Sequence, residues 1–121
     1  MASGGIALAV EHAESAQATL RGLPPSALHA NAEVLCAQLK IRTDQHAAGV
    51  AHAERALVMN RQIANKRGEA ISLLVLAQCY GGAGDAESAR QYAIACMDVN
   101  IKMSNQYGID QAKALLDQLG T

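Results

Sequence analysis

The chain repeats itself at an interval of 40 residues, and this periodicity constrains its fold more than any other feature. Residues 53–70 align with residues 93–110 without a gap. The identical pairs in this alignment are Ala53/Ala93, Asn60/Asn100, Asn65/Asn105 and Gly68/Gly108. Because matching asparagines and glycines do not follow from a high alanine content, the period indicates two copies of one structural unit. A repeat of this length is typical of stacked helical hairpins.

The composition favours helices throughout the chain. Of the 121 residues, 25 are alanine, the best helix former, and both prolines lie together at Pro24 and Pro25. Half of the residues are apolar and 17% are charged, which suits one compact domain and excludes a disordered tail. The sequence therefore predicts a single all-α domain over residues 1–121, with six antiparallel helices in stacked hairpins.

Turn-forming residues set the predicted boundaries of these helices. The predicted helices cover residues 5–21, 26–42, 45–64, 68–80, 86–103 and 109–119. Ser26, Thr43-Asp44 and Asp85 are expected to cap helix N-termini, and the glycines of 81–84 to end the fourth helix. Asn105 and Gly108 are expected to form a turn, because both residue types tolerate left-handed backbone.

These helices group into repeats of two. Residues 26–64 and 68–104 form two predicted hairpins, 5–21 is an unpaired helix or a partial first repeat, and 109–119 is a capping helix with a polar outer face. Small residues are expected where the two helices of a hairpin cross closely, at Ala77 with Ala89. Ala37 and Gly49 suit the same crossing in the preceding hairpin.

Residues 73–101 resemble a tetratricopeptide repeat. The residues that carry the resemblance are Leu73, Leu76, Ala77, Tyr80, Gly84, Asp85, Ala89, Ala93 and Cys96. The sequence departs from the family at Ala93, which is normally bulky, and at Ile101, which is normally proline. The resemblance implies a right-handed α-α superhelix, in the 40-residue variant found in sensor arrays of large bacterial regulators. It also implies that function resides on the concave surface, lined by the first helix of each hairpin.

The groove residues implied by the resemblance come from two hairpins and the last helix. They are Asn31, Val34, Leu35, Gln38, Arg42, Ile71, Leu74, Val75 and Gln78, followed by Gln111 and Gln118. Gln38, Gln78 and Gln118 recur at the 40-residue period and are expected to form a ladder of amides, each able to donate and accept hydrogen bonds. The lysines and arginines that clamp a carboxylate in some family members are absent, and Arg42 is the only nearby cation.

Two functions follow from this interpretation. The first is a non-catalytic scaffold that binds a protein or peptide segment in an apolar groove with a few amides, alone or within a larger regulatory protein. The alternative is a structural module that forms homodimers through its end helices.

Catalysis, metals and cofactors are not expected. The histidines His12, His29, His46 and His52 include no pair at the i, i+4 spacing of a helical metal site, so all four are expected to face solvent. Cys36, Cys79 and Cys96 form no CxxC pair and are expected to be buried in a reducing compartment.

Nucleic acids and membranes are also not expected as partners. The net charge of −1 lacks the positive excess that phosphate binding needs, and only 2% of the residues are aromatic. The first ten residues lack the basic flank of a signal peptide, and no apolar run is long enough to cross a membrane. The expected location is the cytoplasm.

Overall fold

A computed structural model describes residues 25–120, which form five α-helices and no strand. The helices are α1 (Ala27–Arg42), α2 (His46–Gln62), α3 (Lys66–Gly82), α4 (Ala86–Lys102) and α5 (Gln106–Leu119). The prediction of an all-helical chain is confirmed for these residues. The predicted helix 5–21 lies outside the residues that the structure describes.

The helices are separated by turns of three residues that recur every 20 residues. The middle residue of each turn adopts left-handed backbone, with φ of 62° at Asp44, 56° at Ala64, 91° at Gly84 and 57° at Ser104. A 40-residue repeat is therefore a helix and turn of 20 residues used twice. Such backbone costs energy at every residue except glycine, and Gly84 is the one turn residue suited to it without strain.

Side-chain caps begin four of the five helices. Ser26, Asn65, Asp85 and Asn105 each accept a hydrogen bond from a backbone N–H three residues further on. The predicted caps Ser26 and Asp85 are thus confirmed, whereas the predicted Thr43-Asp44 cap is wrong. Gln45 occupies that position without a side-chain bond to the helix N-terminus, and the Thr43 hydroxyl instead donates to the Leu39 carbonyl at the end of α1.

Two predicted helix boundaries are also corrected. The chain remains helical through Gly81 and Gly82, so α3 is longer than predicted at both ends. Gly108 lies inside α5 rather than in a turn, and the left-handed residue before it is Ser104. Glycine is needed at position 108 because a side chain there would overlap the Asn100 amide.

Consecutive helices pack antiparallel, and close crossings occur at small residues. Ala37, Ala77 and Ala89 are completely buried, as predicted. A Cβ atom on Gly49 would lie 3.2 Å from the Ala37 carbonyl oxygen and 2.8 Å from Cys79 Sγ. Gly49 therefore lets α2 approach both α1 and α3.

Helices that are separated by one other helix in the sequence differ in whether they contact each other. Helix α3 contacts α1 and α5 as well as its neighbours in sequence, whereas α2 and α4 do not contact each other within residues 25–120. The first helices of the hairpins thus line one side of the molecule, and the second helices line the other. None of the described helices combines the length and the apolar character needed to cross a bilayer.

Candidate binding groove

Side chains at a repeated helical spacing form the surface along α1, α3 and α5. On α3 the spacing i, i+4, i+7, i+11 brings Arg67, Ile71, Leu74 and Gln78 to one face. On α5 the same spacing gives Tyr107, Gln111, Ala114 and Gln118. All eight residues line depressions between the first helices.

Three adjoining depressions share this surface, which we call the groove. One of about 330 Å³ lies between α3 and α5, beside Arg67, Ile71 and Tyr107. A second of about 510 Å³ lies beside Gln38 and Arg42 of α1, and a third of about 200 Å³ lies beside Gln118. Gln78 lines all three of them.

The predicted glutamine ladder is brought together by the fold. Gln38 and Gln78 line two depressions in common, and Gln78 and Gln118 line the third. All three side chains are exposed, and the structure shows no hydrogen bond between them and other described residues. Their amide donors and acceptors are therefore available to a ligand.

The groove carries positive charge only. Among its described lining residues, Arg42 and Arg67 are the charged ones, and neither forms an ion pair with another described residue. The expectation that Arg42 is the only nearby cation is wrong, because Arg67 shares the helical spacing of Ile71 and Gln78. That spacing is the sequence signal that would have identified both Arg67 and Tyr107.

Two predicted groove residues are buried. Val34 and Val75 are only 8% and 1% exposed and lie within the main apolar cluster. Val75 follows Leu74 by one residue, and the 100° rotation between neighbours turns its side chain into the stack, where it lines the depression between α3 and α5 as part of its buried floor. Asn31, Leu35 and Ile71 are exposed, and Leu74 is half-buried.

A second polar cluster joins α1 to α2. The Glu33 carboxylate is almost completely buried, with Oε1 2.8 Å from His52 Nδ1 and Oε2 accepting a hydrogen bond of 2.8 Å from Arg55 Nε. Burial raises the pKa of Glu33, but the hydrogen bonds and charges of His52 and Arg55 outweigh this effect and hold it below its ordinary value. The cluster therefore stabilises the hairpin through a buried, paired charge.

The prediction that the histidines face solvent is wrong for the three that the structure describes. His29, His46 and His52 are all half-buried. Nδ1 of His29 and Nδ1 of His46 are buried and have no hydrogen-bond partner among the described residues. The His46 ring lies directly against Gly82 of α3, where a Cβ atom would overlap it.

The described residues contain no group of three histidine, cysteine or acidic side chains placed to hold a metal ion. Burial raises the pKa of the Cys79 and Cys96 thiols to about 11, so both thiols stay protonated near neutral pH. Comparison with protein-family models and with curated proteins finds no match to this sequence.

Proposed function

We propose that this protein is a non-catalytic interaction scaffold that binds a protein or peptide segment along the groove. The observation that carries the proposal is the position of Gln78, which lines all three depressions. A ligand that follows the groove passes Gln38, Gln78 and Gln118 in turn. The protein needs no cofactor for this role, and its place of action is the cytoplasm.

The arrangement of the helices supports this proposal. Contact of α3 with both α1 and α5, with no contact between α2 and α4, suits a stack that curves toward the first helices. Such curvature supports the right-handed, tetratricopeptide-like superhelix that the sequence resembles, in which the concave side binds the ligand.

The lining chemistry selects the class of ligand. Exposed glutamine amides can bond to the N–H and C=O groups of an extended segment, and Ile71 and Leu74 offer apolar surface for its side chains. Arg42 and Arg67, with no carboxylate beside them among the described lining residues, favour a segment that is neutral or acidic.

Selection of peptides from a displayed random library on the purified protein tests the proposal. The affinity of a selected peptide is measured by calorimetry on Ile71→Ala and Gln78→Ala, and on the matched controls Ile94→Ala and Gln91→Ala. Ile71 is 41% exposed in the groove, and Ile94 is 47% exposed on α4, outside the groove. Truncation removes similar accessible surface in both cases, so only position differs.

We expect Ile71→Ala to weaken binding about tenfold, as the loss of a central contact does, and Ile94→Ala to leave it unchanged. Equal losses from the two isoleucine variants, or a library that yields no binder, would contradict a ligand site in the groove. Circular dichroism of each variant separates a lost contact from a lost fold.

Self-association is a second candidate, favoured by the exposure of Leu28 on α1. This leucine is 67% exposed at the end of the described stack, where a second copy could cover it. Light scattering after gel filtration distinguishes the two candidates. A dimer that Leu28→Asp converts to a monomer supports self-association, and a monomer at all concentrations supports the scaffold.

A further inference from the structure

One face of α1 differs from the matching face of α3. On α3, Gly68, Ser72, Val75 and Cys79 share a face and are all buried. Helix α2 covers that face: the Asn60 amide of α2 donates to Ser72 Oγ at 3.2 Å and lies directly against Gly68.

The corresponding residues of α1, 40 positions earlier, are Leu28, Ala32, Leu35 and Leu39. They form a fully apolar stripe, of which Leu28 is 67% and Leu35 is 47% exposed. Within residues 25–120, α1 contacts only α2 and α3, so no described helix covers this stripe as α2 covers α3. Leu39 is buried, so the part of the stripe that lacks a described partner is the part with Leu28 and Leu35.

Residues 6–22 have the sequence of the helix that would fill this place. Placed 40 positions before α2, they contain seven identical residues in 17. These are Ala7/Ala47, Val10/Val50, His12/His52, Ala13/Ala53, Glu14/Glu54, Ala16/Ala56 and Arg21/Arg61. The small residues at 9, 13 and 16 correspond to positions 49, 53 and 56 of α2 and 89, 93 and 96 of α4, all of which are buried.

We propose that residues 6–22 of this chain are the occupant of the α1 stripe and pack against it as α2 packs against α3. The side chains agree with this register. At the positions equivalent to Asn60 and Gly68, the chain has Leu20 and Leu28. Contact between these two leucines would bury the exposed side chain of Leu28. Tyr80 donates a hydrogen bond to Glu54, and the equivalent pair is Lys40 with Glu14, which have opposite charges.

This assignment has a consequence for the groove. It takes Leu35 out of the groove and into a helix–helix interface, in agreement with the burial of Val75 at the equivalent position. Leu35 and Leu39 also line the depression beside Gln38, so residues 6–22 would border that end of the groove, while Gln78 and Gln118 lie further along it on α3 and α5. The chain's own N-terminal segment thus borders the groove and does not run along it.

Disulfide trapping in the full-length chain tests the register. Leu20→Cys is combined with Leu28→Cys, and the control combines Ala18→Cys with Leu28→Cys. Ala18 corresponds to Val58, which is 54% exposed on α2. After mild oxidation, intact mass under non-reducing conditions and peptide mapping report which cysteines are linked.

We expect an intramolecular disulfide in most molecules of the first double variant and in few molecules of the control. Equal linkage in the two variants, or no linkage in either, would overturn the proposal. A disulfide found only between chains would show that a second copy covers the stripe instead.

A second measurement does not depend on cysteine chemistry. Ala13→Leu places a large side chain at a position that is completely buried in the repeats, at Ala53 and Ala93, whereas Ala18→Leu places it at an exposed one. We expect Ala13→Leu to lower the melting temperature by about 4 °C or more and Ala18→Leu to leave it unchanged. Equal melting temperatures for both variants would also overturn the proposal.

Discussion

Asn60 and Gly68 are in such close contact that a methyl group at residue 68 would overlap the asparagine side chain. Asn100 and Gly108 stand in the same relationship one repeat later. In each pair the asparagine Oδ1 also accepts a hydrogen bond of 3.1 Å from the N-cap asparagine of the next helix, Asn65 or Asn105. These bonds fix how one hairpin meets the next.

Gly68→Ala is therefore expected to destabilise the protein, although alanine is the better helix former. The gain in helix propensity is about 1 kcal/mol, and overlap with Asn60 costs about 1–3 kcal/mol unless the helices separate and lose the hydrogen bonds as well. Urea unfolding of the variant measures the net loss of free energy of unfolding. Gly81→Ala is the control, since its Cβ would lie 3.3 Å from the movable Cδ2 of Leu119. A Gly68→Ala variant more stable than the wild type would contradict this account.

The turns give a prediction of opposite sign. Ala64 is exposed and has φ of 56°, so Ala64→Gly is expected to raise the free energy of unfolding by about 1 kcal/mol. Gly84→Ala, at φ of 91° with open space around it, is expected to lower it by about 1 kcal/mol through backbone strain alone. Chemical denaturation of both variants checks the pair. Changes of the same sign would show that side-chain contacts rather than backbone conformation control these turns.

Neighbouring residues on α3 are expected to respond very differently to substitution. Ala77 is completely buried, so Ala77→Leu overpacks the hairpin and lowers the free energy of unfolding by about 1–3 kcal/mol. Gln78 is exposed in the groove, and Gln78→Ala is expected to change the free energy of unfolding by less than about 0.5 kcal/mol. Thermal melts followed by circular dichroism give the order, and the reverse order would mean that α3 is rotated from the position described.

The Glu33 cluster makes stability depend on pH. Because the folded pKa of Glu33 lies below its ordinary value of 4.5, its ionised form stabilises the folded state above that pH, and the contribution is lost as pH falls through the folded pKa. Glu33→Gln is expected to lower the free energy of unfolding at pH 7 by about 1.5–3 kcal/mol, the range for hydrogen bonds to a charged group. Denaturation of both proteins between pH 7 and pH 3 checks this. The difference is expected to shrink below pH 4.5, and a difference independent of pH would contradict the assignment.

The sequence predicts the helices well because their determinants are local. Ser26 and Asp85 mark the N-termini of two helices, and the matched glycines and asparagines indicate the repeat. The role of Gly108 could not be obtained this way, because the asparagine that requires a glycine there lies eight residues away and meets it only after the helices pack.

The groove was predicted less completely than the fold. Gln38, Gln78 and Gln118 could be placed from the period alone, whereas the burial of Val75 could not be predicted, because α3 is apolar around most of its circumference. Because few polar residues mark the exposed side of α3, the sequence leaves the side that faces the groove uncertain by one residue, or 100° of rotation about the helix axis. The histidines were misplaced for a different reason: the acceptor of His52 is Glu33, 19 residues earlier, and no local pattern connects them.

The asparagine pairs also determine how the stack deforms. Both pairs lie between hairpins, at α2 with α3 and at α4 with α5, while the turns within hairpins have Lys40 with Gln45 and Tyr80 with Asp85 at the equivalent positions. The two joints share the bond between asparagines, but Asn60 also donates across its joint to Ser72, whereas Asn100 donates within α4 to Cys96. A ligand that widens the groove therefore has more hydrogen bonds to strain at the joint of α2 with α3 than at the joint of α4 with α5. Because Asn100 and Asn105 line the depression between α3 and α5, a ligand bound there lies directly beside the joint that it would strain.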